Sequence, residues 1–255
     1  MGLAIMTSFF WGDLTAEELR SKAEADAVVV LPVASMEQHG PHLSVSVDTV
    51  LCERICLAAA ERATGNQVIV APTLWCGMAE HHMEFGGTFT LDIPTYRAVL
   101  LCLLKSLERH GFRRVVIING HGGNGPALQA FLPDFARETK LRIRVAMYFA
   151  AADRSLLSVL QNPGGRHANE FETSMMLALA PELVRSERLQ DAYGGQGRER
   201  EEDVVLARTA RHRSYKRRTP TGVDGDARLA TAAKGSELVE ECVRSLAEML
   251  SHKSV

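Results

Sequence analysis

Cysteine is scarce and carries no pairing pattern. The five residues Cys52, Cys56, Cys76, Cys102 and Cys242 are odd in number and match neither zinc-knuckle nor disulfide-framework spacing. That excludes a disulfide-stapled scaffold and fits a reducing, cytoplasmic setting. Long apolar runs are missing too. Runs such as Ala98 to Leu104 fall far below the roughly 18 residues of a membrane span, and charge comes early in the chain, so neither membrane insertion nor secretion is expected. Neither sign of charge dominates: 29 Lys and Arg stand against 31 Asp and Glu, a net charge of -2. No global field therefore draws in nucleic acid or an acidic membrane. Internal repeats and low-complexity tracts are absent.

What is present is apolar bulk in alternating segments. With 255 residues, 46% of them hydrophobic, the chain can bury a large core as one domain over residues 1–255. Thr15 and Glu18 form a capping box for a first helix to about Ala25, and a strand follows from Ala27 to Val33. The spacing predicts a helix from Asp48 to Thr64 stopped by Gly65, then a strand at Val68–Val70. A helix from Pro94 to Gly111 presents Tyr96, Val99, Leu100, Leu103, Leu104 and Leu107 inward, and a strand runs from Arg114 to Ile118. A helix from Pro126 to Thr139, a strand from Ile143 to Phe149, a helix from Glu170 to Leu179 and a last helix from Arg228 to Leu250 complete the pattern. Strands alternating with helices predict an α/β fold, a three-layer α/β/α sandwich with a mainly parallel sheet. The polar stretch from Gly194 to Pro220 reads as an excursion from it.

Chemistry-bearing residues follow the strands. Met36-Glu37-Gln38-His39-Gly40-Pro41-His42 and Asp48 come after the first, and Asn119-Gly120-His121-Gly122-Gly123-Asn124 ends the third. Inner strands of α/β proteins deliver functional groups at their carboxyl ends, so both clusters can meet at one sheet edge. Glu37 and His39, two apart in extended chain, point to one side. Asp48 reads either as a helix cap or as a ligand facing the strand end. His121, in a glycine-flanked turn, is either structural or a ligand. In His167-Ala168-Asn169-Glu170-Phe171-Glu172, Glu170 and Glu172 cannot both face one way on a helix, and each is otherwise a first-turn acid favoured by the helix dipole. Mixed carboxylate and imidazole donors suit zinc, manganese or iron.

Together with Glu80-His81-His82-Met83-Glu84-Phe85-Gly86-Gly87-Thr88, these clusters, in order and spacing, resemble the creatininase (creatinine amidohydrolase) family over nearly the whole chain. The resemblance implies a dinuclear metal hydrolase that cleaves a C–N bond of a small linear or cyclic amide through a metal-bound hydroxide, commonly as a homohexamer. It assigns two divalent ions per chain to Glu37, His39, Asp48 and His121, with Asp48 bridging. It places Glu172 at the metals and makes His167 the proton carrier between water and leaving nitrogen. Relatives with other substrates, a formamidopyrimidine deformylase and a mycofactocin-type peptidase, are the alternatives within the family. A non-catalytic binding or scaffold protein on the same fold is the alternative outside it. Creatinine itself is not the expected substrate. In creatininase the histidine matching His121 is followed by an aromatic residue and a ligand glutamate, where this chain has Gly122 and Gly123. Of the two tryptophans, Trp11 and Trp75, neither lies near His167 in sequence.

Other features carry weaker implications. His82, Gly122 and Gly123 are candidate substrate contacts, and His81 and His82 are placed to touch substrate or a neighbouring subunit. Cys76 lacks a dedicated base, Ser35 lacks a nucleophile elbow, and Cys52 with Cys56, one turn apart, read as core. The basic run Arg208, Arg211, His212, Arg213, Lys216, Arg217 and Arg218 follows Glu199, Glu201, Glu202 and Asp203. It reads as a solvated or intersubunit face.

Overall fold

The computed structural model describes residues 8–149, 156–163, 165–195 and 214–255. Four parallel strands form the central sheet: β1 (Val28–Val33), β2 (Val68–Val70), β3 (Arg114–Asn119) and β4 (Arg142–Met147), in the order β2-β1-β3-β4. β1 and β3 are buried along their whole length, as expected of strands covered on both faces. Alternate residues divide between the two faces. Val28, Val30, Val116 and Ile118 join one apolar cluster, and Val29, Leu31, Val115 and Ile117 the other.

The helices are α1 (Ala16–Glu24), α2 (Val47–Arg62), α3 (Ile93–Arg109), α4 (Gly125–Glu138), α5 (Leu156–Val159), α6 (Glu170–Leu179), α7 (Tyr215–Arg218) and α8 (Ala232–Ser251). Residues of α2, α6 and α8 pack on the first face, and residues of α1, α3 and α4 on the second. This is the expected α/β/α sandwich. The capping box at Thr15 forms. α2 ends at Arg62 with Ala63 in extended conformation, so the chain leaves the helix before Gly65. Leu103 is 37% exposed, because the buried stripe of α3 runs through Tyr96, Leu100, Leu104 and Leu107 only. The last helix begins at Ala232, capped by Thr231, after a 3-10 turn at Ala227–Leu229. A small antiparallel pair, β5 (Tyr193–Gly195) with β6 (Gly225–Asp226), was not expected. No described helix is long and apolar enough to cross a membrane.

Pro32 occupies a central strand because its missing N–H falls where a neighbour has ended. β2 stops at Val70, and on that side the Pro32 carbonyl accepts the Leu74 N–H at 2.9 Å. The strand order places the topological switch between β1 and β3, since the connection from β1 runs outward to β2 and the next returns across to β3. β1 and β3 also end level, Val33 beside Asn119. Ligands of open α/β sheets bind at such a point.

Candidate metal centre

From Val33 the chain runs Ser35-Met36-Glu37-Gln38-His39, with Ser35, Glu37, Gln38 and His39 buried. Gly40 then turns the chain with φ +69°, a left-handed conformation that glycine adopts without strain. Asp48 is the second residue of α2. Ser46 occupies the capping position, so Asp48 is not the cap and its carboxylate faces the strand ends. At the end of β3, Asn119 holds the next turn from both sides: its Oδ1 accepts the His121 N–H at 3.0 Å and its Nδ2 donates to the His121 carbonyl at 2.7 Å. Gly120 allows this turn to approach α2, since a Cβ there would stand 2.8 Å from the Asp48 carbonyl and 2.7 Å from Cys52 Cβ.

The four residues converge. Asp48 Oδ1 lies 3.3 Å from His39 Nε2, and Asp48 Oδ2 lies 3.1 Å from His121 Nδ1. Glu37 Oε2 is 3.1 Å from the same His121 nitrogen. Asp48 thus spans the cluster, one oxygen toward each imidazole. His167 Nδ1 approaches Glu37 Oε1 at 3.7 Å, and His167, His39 and Glu172 are close enough to share an ion. His82 lies within the cluster, its Nε2 3.4 Å from Glu37 Oε1. Gly123 abuts His121 Nε2 and the Met78 carbonyl, whereas nothing lies within 4 Å of the Cβ position of Gly122.

The outer nitrogens of the rings face carbonyls. His39 Nδ1 is 3.1 Å from the Glu37 carbonyl, and His121 Nε2 is 3.1 Å from that of Met78. A carbonyl only accepts, so each outer nitrogen carries a hydrogen, and in the neutral ring the inner nitrogen carries a lone pair aimed at carboxylate oxygens. Metal-ligating histidines are held in this way. Both Glu37 oxygens, Asp48 Oδ2 and His39 Nε2 are buried without a hydrogen-bond partner among the described residues. Buried acceptors facing one another are costly unless a cation lies between them, so the donor set fits divalent ions.

Electrostatics agree. Burial opposes charge on His39, but the Asp48 carboxylate outweighs it and lifts the ring to about 9. His121 is likewise raised, burial being overcome by Glu37 and Asp48. Asp48 is lowered despite burial, chiefly by His39. His82 is pushed down to about 2 by burial and by the neighbouring imidazoles, and His167 is also pushed down, by burial and His39. Glu172 is raised to about 7 by burial.

α6 is built to present Glu172. Asn169 caps the helix through the Glu172 N–H, Ala168 sits at φ +49°, and the Ala168 N–H donates to Glu172 Oε2 at 2.5 Å. A positive φ at alanine is strained, and it occurs beside the site. Buried Glu170 turns away to pair with half-buried Lys234, at 2.5 Å.

Part of the polar excursion closes over the cluster. Tyr215 of α7 stacks on His82, with ring centroids 4.5 Å apart, and meets His167 edge-on at 5.0 Å. Its hydroxyl donates to Asp224 at 3.2 Å, and Arg218 pairs with the same buried carboxylate at 2.7 Å. Arg218 is therefore half-buried on an internal partner, whereas Lys216 and Arg217 are exposed as expected of a solvated face; Arg208, Arg211, His212 and Arg213 lie outside the described residues. Tyr215 and Asp224 had no signal in the sequence, because only the return of the chain from the excursion brings them to the site. Cys52 and Cys56 lie in the core. Trp11 packs on Phe112, and Trp75 stacks edge-on with Phe89.

The family model described as creatininase, creatinine amidohydrolase, matches residues 12–250. Creatinine amidohydrolase of Pseudomonas putida is 31% identical over 95% of this chain and 96% of its own length. The mycofactocin precursor peptide peptidase of Mycobacterium ulcerans (strain Agy99) is 31% identical over 86% and 84%. The 3-dehydro-scyllo-inosose hydrolase of Thermotoga maritima is 27% identical over 96% and 83%. A crystal structure of creatininase superposes with a TM-score of 0.81 at 30% identity, covering 96% of this chain and 97% of that one. A manganese form and a Zn–Zn form of creatininase each give 0.80.

Proposed function

The chain belongs to the creatininase family, and on that premise we propose that it is a metal-dependent amidohydrolase cleaving a C–N bond of a small linear or cyclic amide other than creatinine. The observation that carries this reading is the set of unpartnered buried donors, Glu37, His39 and Asp48, closing on the inner nitrogen of His121. Glu37, His39, Asp48 and His121 would hold the ions, the two oxygens of Asp48 facing different imidazoles. Divalent ions held there supply Lewis acidity and lower the pKa of bound water.

The chain's own groups do the rest. His167 donates its Nε2 hydrogen to the Gln38 carbonyl at 2.8 Å, which leaves Nδ1 free to take up a proton on the cluster side. Its lowered pKa makes the protonated ring a ready donor to a leaving nitrogen. Glu172, raised to about 7, can hold a proton near neutrality beside His39. Tyr215 and His82 wall the centre from water. Next to Gly123 and His81 a cavity of about 850 Å³ opens, bounded by Met78, Glu80, Leu91 and Ile93. The exposed Trp75, Met83, Phe89 and Ile93 provide apolar surface for subunit contact in a homo-oligomer.

The test is elemental analysis of gently purified wild type and Asp48→Asn, followed by an amide panel. About two ions of zinc, manganese or iron per wild-type chain, reduced in the variant, support the reading. A wild type that holds no ion after reconstitution favours a non-catalytic binding protein on this fold.

A further inference from the structure

Gln38 touches more of the site than its place between two candidate ligands suggests. Its Oε1 accepts the Gly40 N–H at 3.0 Å, which fixes which end of the amide is nitrogen. Its Nε2 has two hydrogens and three neighbours: His82 Nδ1 at 2.8 Å, His167 Nε2 at 3.0 Å and the Gly222 carbonyl at 3.2 Å. His167 Nε2 also lies 2.8 Å from the Gln38 main-chain carbonyl. That carbonyl can only accept, so His167 Nε2 bears a hydrogen directed at it and cannot receive one from the amide. The two amide hydrogens then go to Gly222 and His82. This assignment leaves no acceptor facing an acceptor. His82 Nδ1 is therefore an acceptor, and the neutral ring carries its hydrogen on Nε2, facing Glu37 Oε1 at 3.4 Å.

We infer that Gln38 is a positioning residue that holds His82 in the Nε2–H tautomer, so that a hydrogen and not a lone pair faces Glu37 Oε1 and His82 is barred from binding metal. His39, His121 and His167 have their outer nitrogens on carbonyls and turn the opposite end inward. His82 differs because its outer nitrogen meets an amide N–H. Without Gln38, Glu37 and His82 would offer an ion a competing site, and these two with His167 have their donor atoms close enough to hold one. The inference rests on Glu37 being a metal ligand.

The test is solid-state NMR of protein labelled with ¹³C,¹⁵N-histidine, with His82 assigned by the signal lost in His82→Asn. Wild type is expected to show a bare Nδ1 and a protonated Nε2 at His82. In Gln38→Glu the carboxylate cannot donate, and the pattern should reverse. Metal analysis of that variant should then show altered occupancy, with zinc or manganese affinity changed about 10- to 100-fold, the usual range when a hydrogen-bonding group around a metal site is lost. A wild-type His82 protonated on Nδ1 overturns the inference even if Gln38→Glu fails to fold. So does a folded Gln38→Glu with an unreversed tautomer. A wild type that holds two ions but shows the wrong tautomer sinks this inference alone, whereas one that holds none sinks the metal reading.

Discussion

Replacing Gly235 with alanine sets two effects of known size against each other. Gly235 lies in the first turn of α8 where that helix crosses α6, and a Cβ there would stand 1.8 Å from the Ser174 carbonyl oxygen and 2.9 Å from Ala178 Cβ. Alanine in a helix gains about 1 kcal/mol over glycine. The clash is with main chain, so relief requires α6 to recede by about 1 Å or more, since Cβ atoms do not approach closer than 3.0 Å. Overpacking costs about 1–3 kcal/mol where side chains can yield, and the upper end applies where they cannot. Gly235→Ala should therefore lose about 2 kcal/mol net. The displaced segment also holds Thr173, bonded to His42 at 2.7 Å, and Glu172. Urea unfolding followed by circular dichroism measures the loss, and metal content should fall with it. Gly122→Ala, with nothing within 4 Å of its Cβ position, should stay within about 0.5 kcal/mol of wild type. A Gly235→Ala protein as stable as wild type would refute the close crossing.

Acid stability tests His42, which is pushed down to about 4 by burial and by His39. The unfolded ring, near 6.5, takes up its proton first, so stability is present above pH 6.5 and is lost as pH falls toward 4, by about 3 kcal/mol. His42→Gln should flatten that part of the stability profile relative to wild type; identical slopes between pH 7 and 4.5 contradict it. Metal uptake should run the other way. His39, lifted to about 9, holds a proton at neutral pH in the metal-free chain, and an ion must displace it. Affinity should therefore rise from pH 7 to 9 with release of about one proton or more per site occupied, read by calorimetry in two buffers of different ionisation enthalpy. Affinity independent of pH over that range would rule it out.

The buried runs Val28–Val33 and Arg114–Asn119, and the amphipathic stripe of α3, were legible because burial on two faces or on one leaves a period in the sequence. The motifs after β1 and β3 were legible as metal chemistry by residue type, and their meeting followed from parallel strands ending level. Leu103 was misjudged because one residue's rotation on a helix decides its burial, and spacing resolves that poorly. β5 and β6 were missed because a strand of two or three residues carries no period.

Sequence alone therefore determined the layers, the strand ends and the chemical kind of the site, all of which rest on local periodicity and residue type. Tertiary structure decided which nitrogen of His82, His121 and His167 faces inward, because that depends on a carbonyl or an amide supplied from elsewhere: Met78 for His121, and Gln38 for both His82 and His167. It also decided that Tyr215, Arg218 and Asp224 close the centre. Contacts reached across dozens of residues leave no trace in the spacing of either partner.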